Sequence, residues 1–280
     1  MNYFKKGLMI VSCLGLFLLI LAGCGESSAQ AGQSKKIYIA LDNNITPFTY
    51  ADKNGDPTGL DYEVLKKIDD MLDDYSFEYE MVDYDVAAIG LEDGKYDLEA
   101  GDKYSTSTRL EKFLVSDSYY YTGVGLAVLK DSPYQSIEDL KGKKLQPVPD
   151  ADGLRQVYND YMKANPDSGL ICESGSSLLS ASDFLNGIVA GKWDAAFNDP
   201  SMFNAVLEKD SSLQEKIRVI EDPFTVVGAH FIINKNNTDL EKQINAAIKE
   251  LKEDGTLDDL GEKWCNTRSF EKYADVIVEK

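Results

Sequence analysis

The chain has one histidine in 280 residues, His230, and four cysteines, of which Cys13 and Cys24 fall within the first 24 positions. An imidazole-based metal site or a serine-type triad has almost no parts to draw on, since His230 alone could serve in either. No metal-ligand spacing is present, and no cofactor is expected. Basic residues are scarce too: 29 Lys and Arg stand against 48 Asp and Glu, a formal net charge of −19. A polyanion needs a basic face to bind it, so nucleic acid is not an expected partner. With 43% hydrophobic and 28% charged residues, the composition is that of an ordinary globular chain. Disorder and a polytopic membrane protein are both disfavoured on that ground.

The N-terminus carries an export pattern. Lys5 and Lys6 precede an apolar run from Leu8 to Ala22, shorter than the roughly 20 residues of a spanning helix. Leu21-Ala22-Gly23-Cys24 follows and resembles the lipobox of bacterial lipoproteins. The resemblance implies a signal peptide over 1–23, removed so that Cys24 becomes the new N-terminus and the site of lipid attachment, with acyl chains such as palmitate. An ordinary secretory signal with a chance cysteine is the alternative. Loss of Lys5 and Lys6 takes the charge to −19 − 2 = −21. Residues 24–34 are small and lack apolar periodicity, the composition of a flexible tether. The expected location is extracytoplasmic, anchored to the cell membrane.

From Lys35 onward, β-branched and aromatic runs alternate with helical periodicity, the βαβ pattern of an open sheet flanked by helices. Strands are predicted over 37–41, 77–82, 96–99, 144–148, 170–172, 193–197 and 225–233. Helices are predicted over 60–72, 86–91, 106–114, 153–163, 182–189, 201–208, 240–251 and 257–264, with Thr106 or Thr108 available to cap the third. About 245 residues of α/β in two blocks imply two domains.

Five segments resemble the extracellular solute-binding proteins of amino-acid ABC transporters: DNNITPFTYADKNGDPTGLD (42–61), YDLEAGDKYSTSTRLEKFLVSDSYY (96–120), SIEDLKGKK (136–144), IVAGKWDAAFNDP (188–200), and 240–264 ending in Glu262-Lys263-Trp264. The resemblance implies the two-lobed type II periplasmic-binding-protein fold, each lobe a mixed sheet flanked by helices, with two crossing hinge segments. Lobe 1 would comprise 35–122 plus 226–280, and lobe 2 residues 123–225. Cys172 and Cys265 would then sit in different lobes as free thiols. The implied function is capture of an amino acid or related small amine between the lobes of a monomeric subunit, delivered to a membrane permease and its ATPase without catalysis.

The same resemblance nominates site residues. Thr106-Ser107-Thr108-Arg109 matches a Thr-x-x-Arg whose guanidinium holds the ligand α-carboxylate, chemistry suited to the Arg donor fork. Asp199 matches an ammonium-binding aspartate of the second lobe, and Asp42 and Tyr84 match first-lobe contacts. Departures are equally marked. Tyr104 and Asp102 replace small or hydroxyl residues, Pro149-Asp150-Ala151-Asp152-Gly153 replaces a Gly-Thr turn, and Ile45 replaces a stacking aromatic. Together Asp42, Asp102, Asp152 and Asp199 are expected to give the cleft a negative field that disfavours acidic amino acids. Trp193, Trp264 and His230 read as packing residues. Two alternatives are an exported enzyme like cyclohexadienyl dehydratase, which shares the architecture, and a sensory solute-binding lipoprotein.

Overall fold

The computed structural model describes residues 34–277, so the export segment, Cys24 and nearly all of the tether lie outside the described residues. Strand β1 (Lys35–Asp42) alternates at first, with Ile37 and Ile39 buried and Tyr38 half exposed, and then covers Ala40, Leu41 and Asp42 completely. A small antiparallel sheet of β2 (Asn44–Ile45), β3 (Thr49–Ala51) and β4 (Pro57–Thr58) follows. The first block continues through α1 (Leu60–Met71), β5 (Tyr75–Val82), α2 (Tyr84–Glu92), β6 (Leu98–Tyr104), α3 (Ser107–Lys112) and β7 (Leu114–Val115). Strand β8 (Tyr120–Leu129) leads out of it. The middle of the chain holds a 3₁₀ turn (Ile137–Leu140), α4 (Gly153–Ala164), α5 (Ala181–Val189), β9 (Ala195–Asn198), α6 (Pro200–Leu207) and α7 (Ser211–Lys216). Strand β10 (Ile217–Ile233) returns, followed by α8 (Thr238–Glu253), α9 (Thr256–Cys265) and α10 (Ser269–Lys272).

The main sheet has seven strands in the order β5-β1-β6-β10-β8-β9, with β7 also on β10. Strand β1 runs parallel to β5 and β6, whereas β10 is antiparallel to β6, β7 and β8. The result is the expected mixed α/β class. Helix packing follows the apolar stripe: α1 buries Leu60, Val64, Leu65 and Ile68, and α8 buries Leu240, Ile244, Ala247, Ile248 and Leu251. These spacings of three and four put each set on one helix face.

The boundaries expected at 122–123 and 226–228 fall inside β8 and β10, which pair there as Val226↔Gly123 and Val227↔Thr122. The two crossing segments are thus hydrogen-bonded to one another. Their register breaks between Ile220 and Thr225, a stretch containing Pro223, which has no N–H to give the ladder.

Some predicted elements differ. The strands expected over 144–148 and 170–172 are reduced to isolated bridges, Lys144↔Ile171, Leu145↔Ala195 and Val148↔Ser174. Pro147 and Pro149 interrupt the donor row on one side, which limits the ladder. Strand β10 begins at Ile217 rather than 225, and β6 runs to Tyr104 rather than ending at 99.

Phe231 and Tyr119, neither with any exposed surface, stack at 4.3 Å between ring centroids in the main core. Phe231→Ala is expected to destabilise the fold by about 3–5 kcal/mol, read as a lowered urea midpoint. Cys172 and Cys265 are both buried free thiols. Alkylation of the unfolded chain without reductant is therefore expected to modify both, and a mass short of two adducts would mean that they pair.

Candidate functional site

Strand β6 lies between β1 and β10, and two of its charged residues, Glu99 and Lys103, are buried. Lys103, 1% exposed, is held by Asp42 Oδ2 at 2.7 Å and Glu99 Oε1 at 2.5 Å, and its Nζ lies 3.9 Å from the centre of the Tyr84 ring. Burying such a cation is tolerable only because anions and a π face replace its hydration. Burial opposes the Lys103 charge, but Asp42 and Glu99 outweigh it, and its pKa is raised. Burial, together with the nearby Glu99 charge, pushes Asp42 up to about 7 against the pull of Lys103.

The next turn of backbone depends on that cluster. Gly101 has φ 142, and a Cβ there would sit 2.6 Å from Asp42 Oδ2, so no side chain fits. Asp102 follows in the left-handed region, φ 50, a conformation that Asp tolerates better than most residues. Its N–H donates to Asp61 Oδ2 at 2.9 Å, its Oδ2 accepts from Tyr104 Oη at 3.2 Å, and its Oδ1 is buried without a hydrogen-bond partner. Burial, then the charges of Asp199 and Asp61, hold the Asp102 carboxyl well above the usual carboxylate range.

Arg109 is placed by α3. The Thr106 hydroxyl caps the helix by accepting from the Arg109 N–H at 3.1 Å, while Nη1 donates to the Tyr104 carbonyl at 2.6 Å and Nη2 to Tyr84 Oη at 3.1 Å. Burial works against the guanidinium charge; Tyr84, Asp152, Glu99 and Asp42 restore it, and the pKa is raised. Burial pushes the Tyr84 phenol up to about 12.

From the middle of the chain, Asp152 caps α4 by accepting from the Leu154 N–H at 2.8 Å. Helix α4 can approach this closely because of Gly153, where a Cβ would lie 2.8 Å from Tyr104 Cβ. Between the two walls is a cavity of about 40 Å³. Ile45, Tyr84, Asp102, Lys103, Tyr104 and Arg109 line one side, and Asp152, Leu154, Leu179, Phe184, Asn198 and Met202 the other.

Arg109, Tyr84, Asp102, Tyr104 and Asp152 thus converge on one cavity. Thr106 acts on it through the Arg109 helix. Asp42 lies behind Gly101, bound to Lys103. The Asp199 carboxylate is not on this wall: it accepts from Thr122 Oγ1 at 2.9 Å and the Ser201 N–H at 2.7 Å, capping α6, while Asn198 lines the cavity. Sequence reading missed Lys103, Glu99 and Asp61. No local signal marked Lys103 and Glu99, since charged residues in a strand are ordinarily on a solvated face of the sheet. His230 packs with its Nδ1 2.7 Å from the Ser116 carbonyl. Among the described residues no cluster of His, Cys, Asp and Glu has the geometry to hold a metal, and no helix is long and apolar enough to cross a membrane.

Residues 37–267 match the bacterial extracellular solute-binding proteins, family 3, and the chain belongs to that family. It is similar to the L-cystine-binding protein TcyK of Bacillus subtilis (strain 168), 27% identical over 276 residues, which covers 96% of this chain and 100% of the relative. A solved structure from work on glutathione import through GshT and the cystine ABC importer TcyBC of Streptococcus mutans superposes with TM-score 0.72 at 25% identity, covering 85% and 97%. An ancestral amino-acid-binding protein, AncCDT-1, described as a precursor of cyclohexadienyl dehydratase, gives TM-score 0.65 at 25% identity, covering 82% and 95%.

Asp42 at about 7 and Asp61 at about 6, the latter raised by burial, both bind protons more tightly in the folded chain than an unfolded aspartate does at about 3.9. The folded state therefore holds the extra protons between about pH 4 and 7. Their contribution is present below that window and lost as pH rises through it, so stability falls with rising pH there. Unfolding free energies from urea melts at pH 5 and 7.5 are expected to differ by roughly 2–4 kcal/mol from these groups, and Asp61→Asn is expected to flatten the profile. A slope unchanged by the substitution would remove Asp61 as its source.

Proposed function

We propose that this chain is the lipid-anchored binding subunit of an ABC importer, capturing an amino acid or related small amine between two lobes, 35–122 plus 226–280 and 123–225. The observation that carries this reading is the narrow cavity lined by residues of both chain blocks. Sites for small solutes usually measure roughly 300–1,000 Å³, so a cavity of about 40 Å³ admits a solute only when its walls part. The paired crossings of β8 and β10 give the walls a common axis, and a solute touching both sides stabilises the closed form by its differential affinity.

Asp102 offers an unpartnered acceptor to a donor on the solute, and Arg109 orders the wall from Tyr84 to Tyr104. The naming of relatives as cystine- and amino-acid-binding proteins supports the amine-bearing class. Cys24 is the proposed lipid site, the permease and ATPase are the proposed partners, and a monomer is the proposed state. The dehydratase-like alternative draws on the likeness to AncCDT-1, and turnover of prephenate or arogenate would replace the binding reading with it.

A thermal-shift panel of amino acids, amines and small peptides tests the proposal. Solute at 100 times its Kd is expected to stabilise the fold by about 2.7 kcal/mol, a Tm rise of several degrees. Arg109→Ala is expected to abolish that rise. Silence across the panel would overturn the reading.

A further inference from the structure

We infer that the carboxylate facing Arg109 in this protein is its own Asp152, and that the cavity selects a cationic amine, amidine or guanidine with no carboxylate at that end. The inference deepens the solute-capture reading and rests on it.

Two places in the cavity could receive an anion, and each already gives part of its donor set to the protein. The first is the N-terminus of α4, where exposed N–H groups attract negative charge; there the Asp152 carboxylate already accepts from the Leu154 N–H at 2.8 Å. The second is the Arg109 guanidinium, whose terminal nitrogens each donate to a protein oxygen, Tyr104 O at 2.6 Å and Tyr84 Oη at 3.1 Å. Asp152 lines the same cavity as Arg109, and its charge supports the guanidinium. An entering carboxylate would have to share Arg109 with Asp152 and sit beside the acceptor oxygens of Asp102.

A cation meets the opposite situation. Asp102 lines the cavity, and its Oδ1 is buried with no donor to satisfy it; a missing partner for such an atom is costly. The backbone holds Asp102 there in a left-handed conformation that most residues avoid, fixed by its N–H to Asp61 and by Gly101 before it. Asp199 and Asp61 add negative charge around it. An ammonium or guanidinium entering the cavity supplies the missing donor and offsets that charge at once. Tyr84 is engaged by Lys103 and Arg109, which leaves the Asp102 carboxyl as the acceptor, and a cation beside it would favour its ionised form against the burial that favours the neutral one.

The test is isothermal titration of the full chain, purified in detergent, with matched pairs that differ only by the carboxylate: arginine and agmatine, ornithine and putrescine, lysine and cadaverine. The amine of at least one pair is expected to bind about tenfold or more tightly than its amino acid. Asp152→Asn keeps a helix cap and is expected to shift the ratio back toward the amino acid by about tenfold. Asp102→Asn is expected to lose amine binding, and an unliganded melt of each variant controls for folding. Amino acids binding more tightly in every pair, or a ratio unmoved by Asp152→Asn, would overturn the inference while leaving solute capture intact. If no member of any pair binds, the inference is overturned; the capture reading falls with it only if the wider panel is silent too.

Discussion

Strand β6 carries Lys103 into the middle of the sheet, where water cannot solvate its ammonium, and the compensation comes from Asp42, Glu99 and the Tyr84 ring. Each partner then has a second consequence. Asp42, drawn inward by Lys103, fills the space beside residue 101 and makes glycine obligatory there. Gly101 permits the kink that turns Asp102 toward the cavity. Tyr84, held face-on to Lys103, presents its hydroxyl to Arg109 Nη2, and the orientation of the guanidinium follows. Removing one member of a buried ion cluster leaves an uncompensated charge, typically a loss of about 3–5 kcal/mol. The geometry of the site is therefore tied to the stability of the fold through one cation.

The other wall is built by a different logic. Helix α4 is placed by the close approach of Gly153 to Tyr104, and its first turn is satisfied from within by Asp152. Helix α6 is capped in the same way by Asp199, which also receives the Thr122 hydroxyl from β8. A carboxylate that caps a helix and accepts a hydroxyl from a strand links α6 of the second wall to β8. The same bonds turn it away from the cavity, and Asn198, one residue earlier, lines the cavity instead.

Much of this was legible in the sequence. The alternating βα pattern from Lys35, the helices over 60–72 and 240–251, and Thr106 as a cap all rest on local periodicity and capping chemistry, which short-range sequence carries. Arg109, Tyr84, Asp102, Tyr104 and Asp152 were legible only through resemblance, because nothing local distinguishes them among 48 acidic and 16 tyrosine residues. What stayed hidden depends on register. Glu99 and Lys103 are surface-like residues by composition, and their burial follows only once β6 is known to lie between β1 and β10. The surroundings of Asp199 were hidden for a related reason: local sequence offers it as a helix cap, but its bond to the Thr122 hydroxyl depends on where β8 lies.

The distribution of charge in the cavity argues beyond packing. Replacing a buried ionic group with apolar residues of similar volume is often neutral or stabilising, so a wall built for stability alone has less costly choices than Asp102. Lys103 is answered by two carboxylates, Arg109 by Tyr84, Tyr104 and Asp152, and Asp61 by the Asp102 N–H. Asp102 has one weak donor at 3.2 Å, a left-handed backbone, and an oxygen with no partner. Asp42 and Asp61 each keep a buried oxygen without a partner as well, but of the three only Asp102 lines the cavity. A local departure from what favours folding, held on a cavity wall, is the kind of feature that functional sites carry.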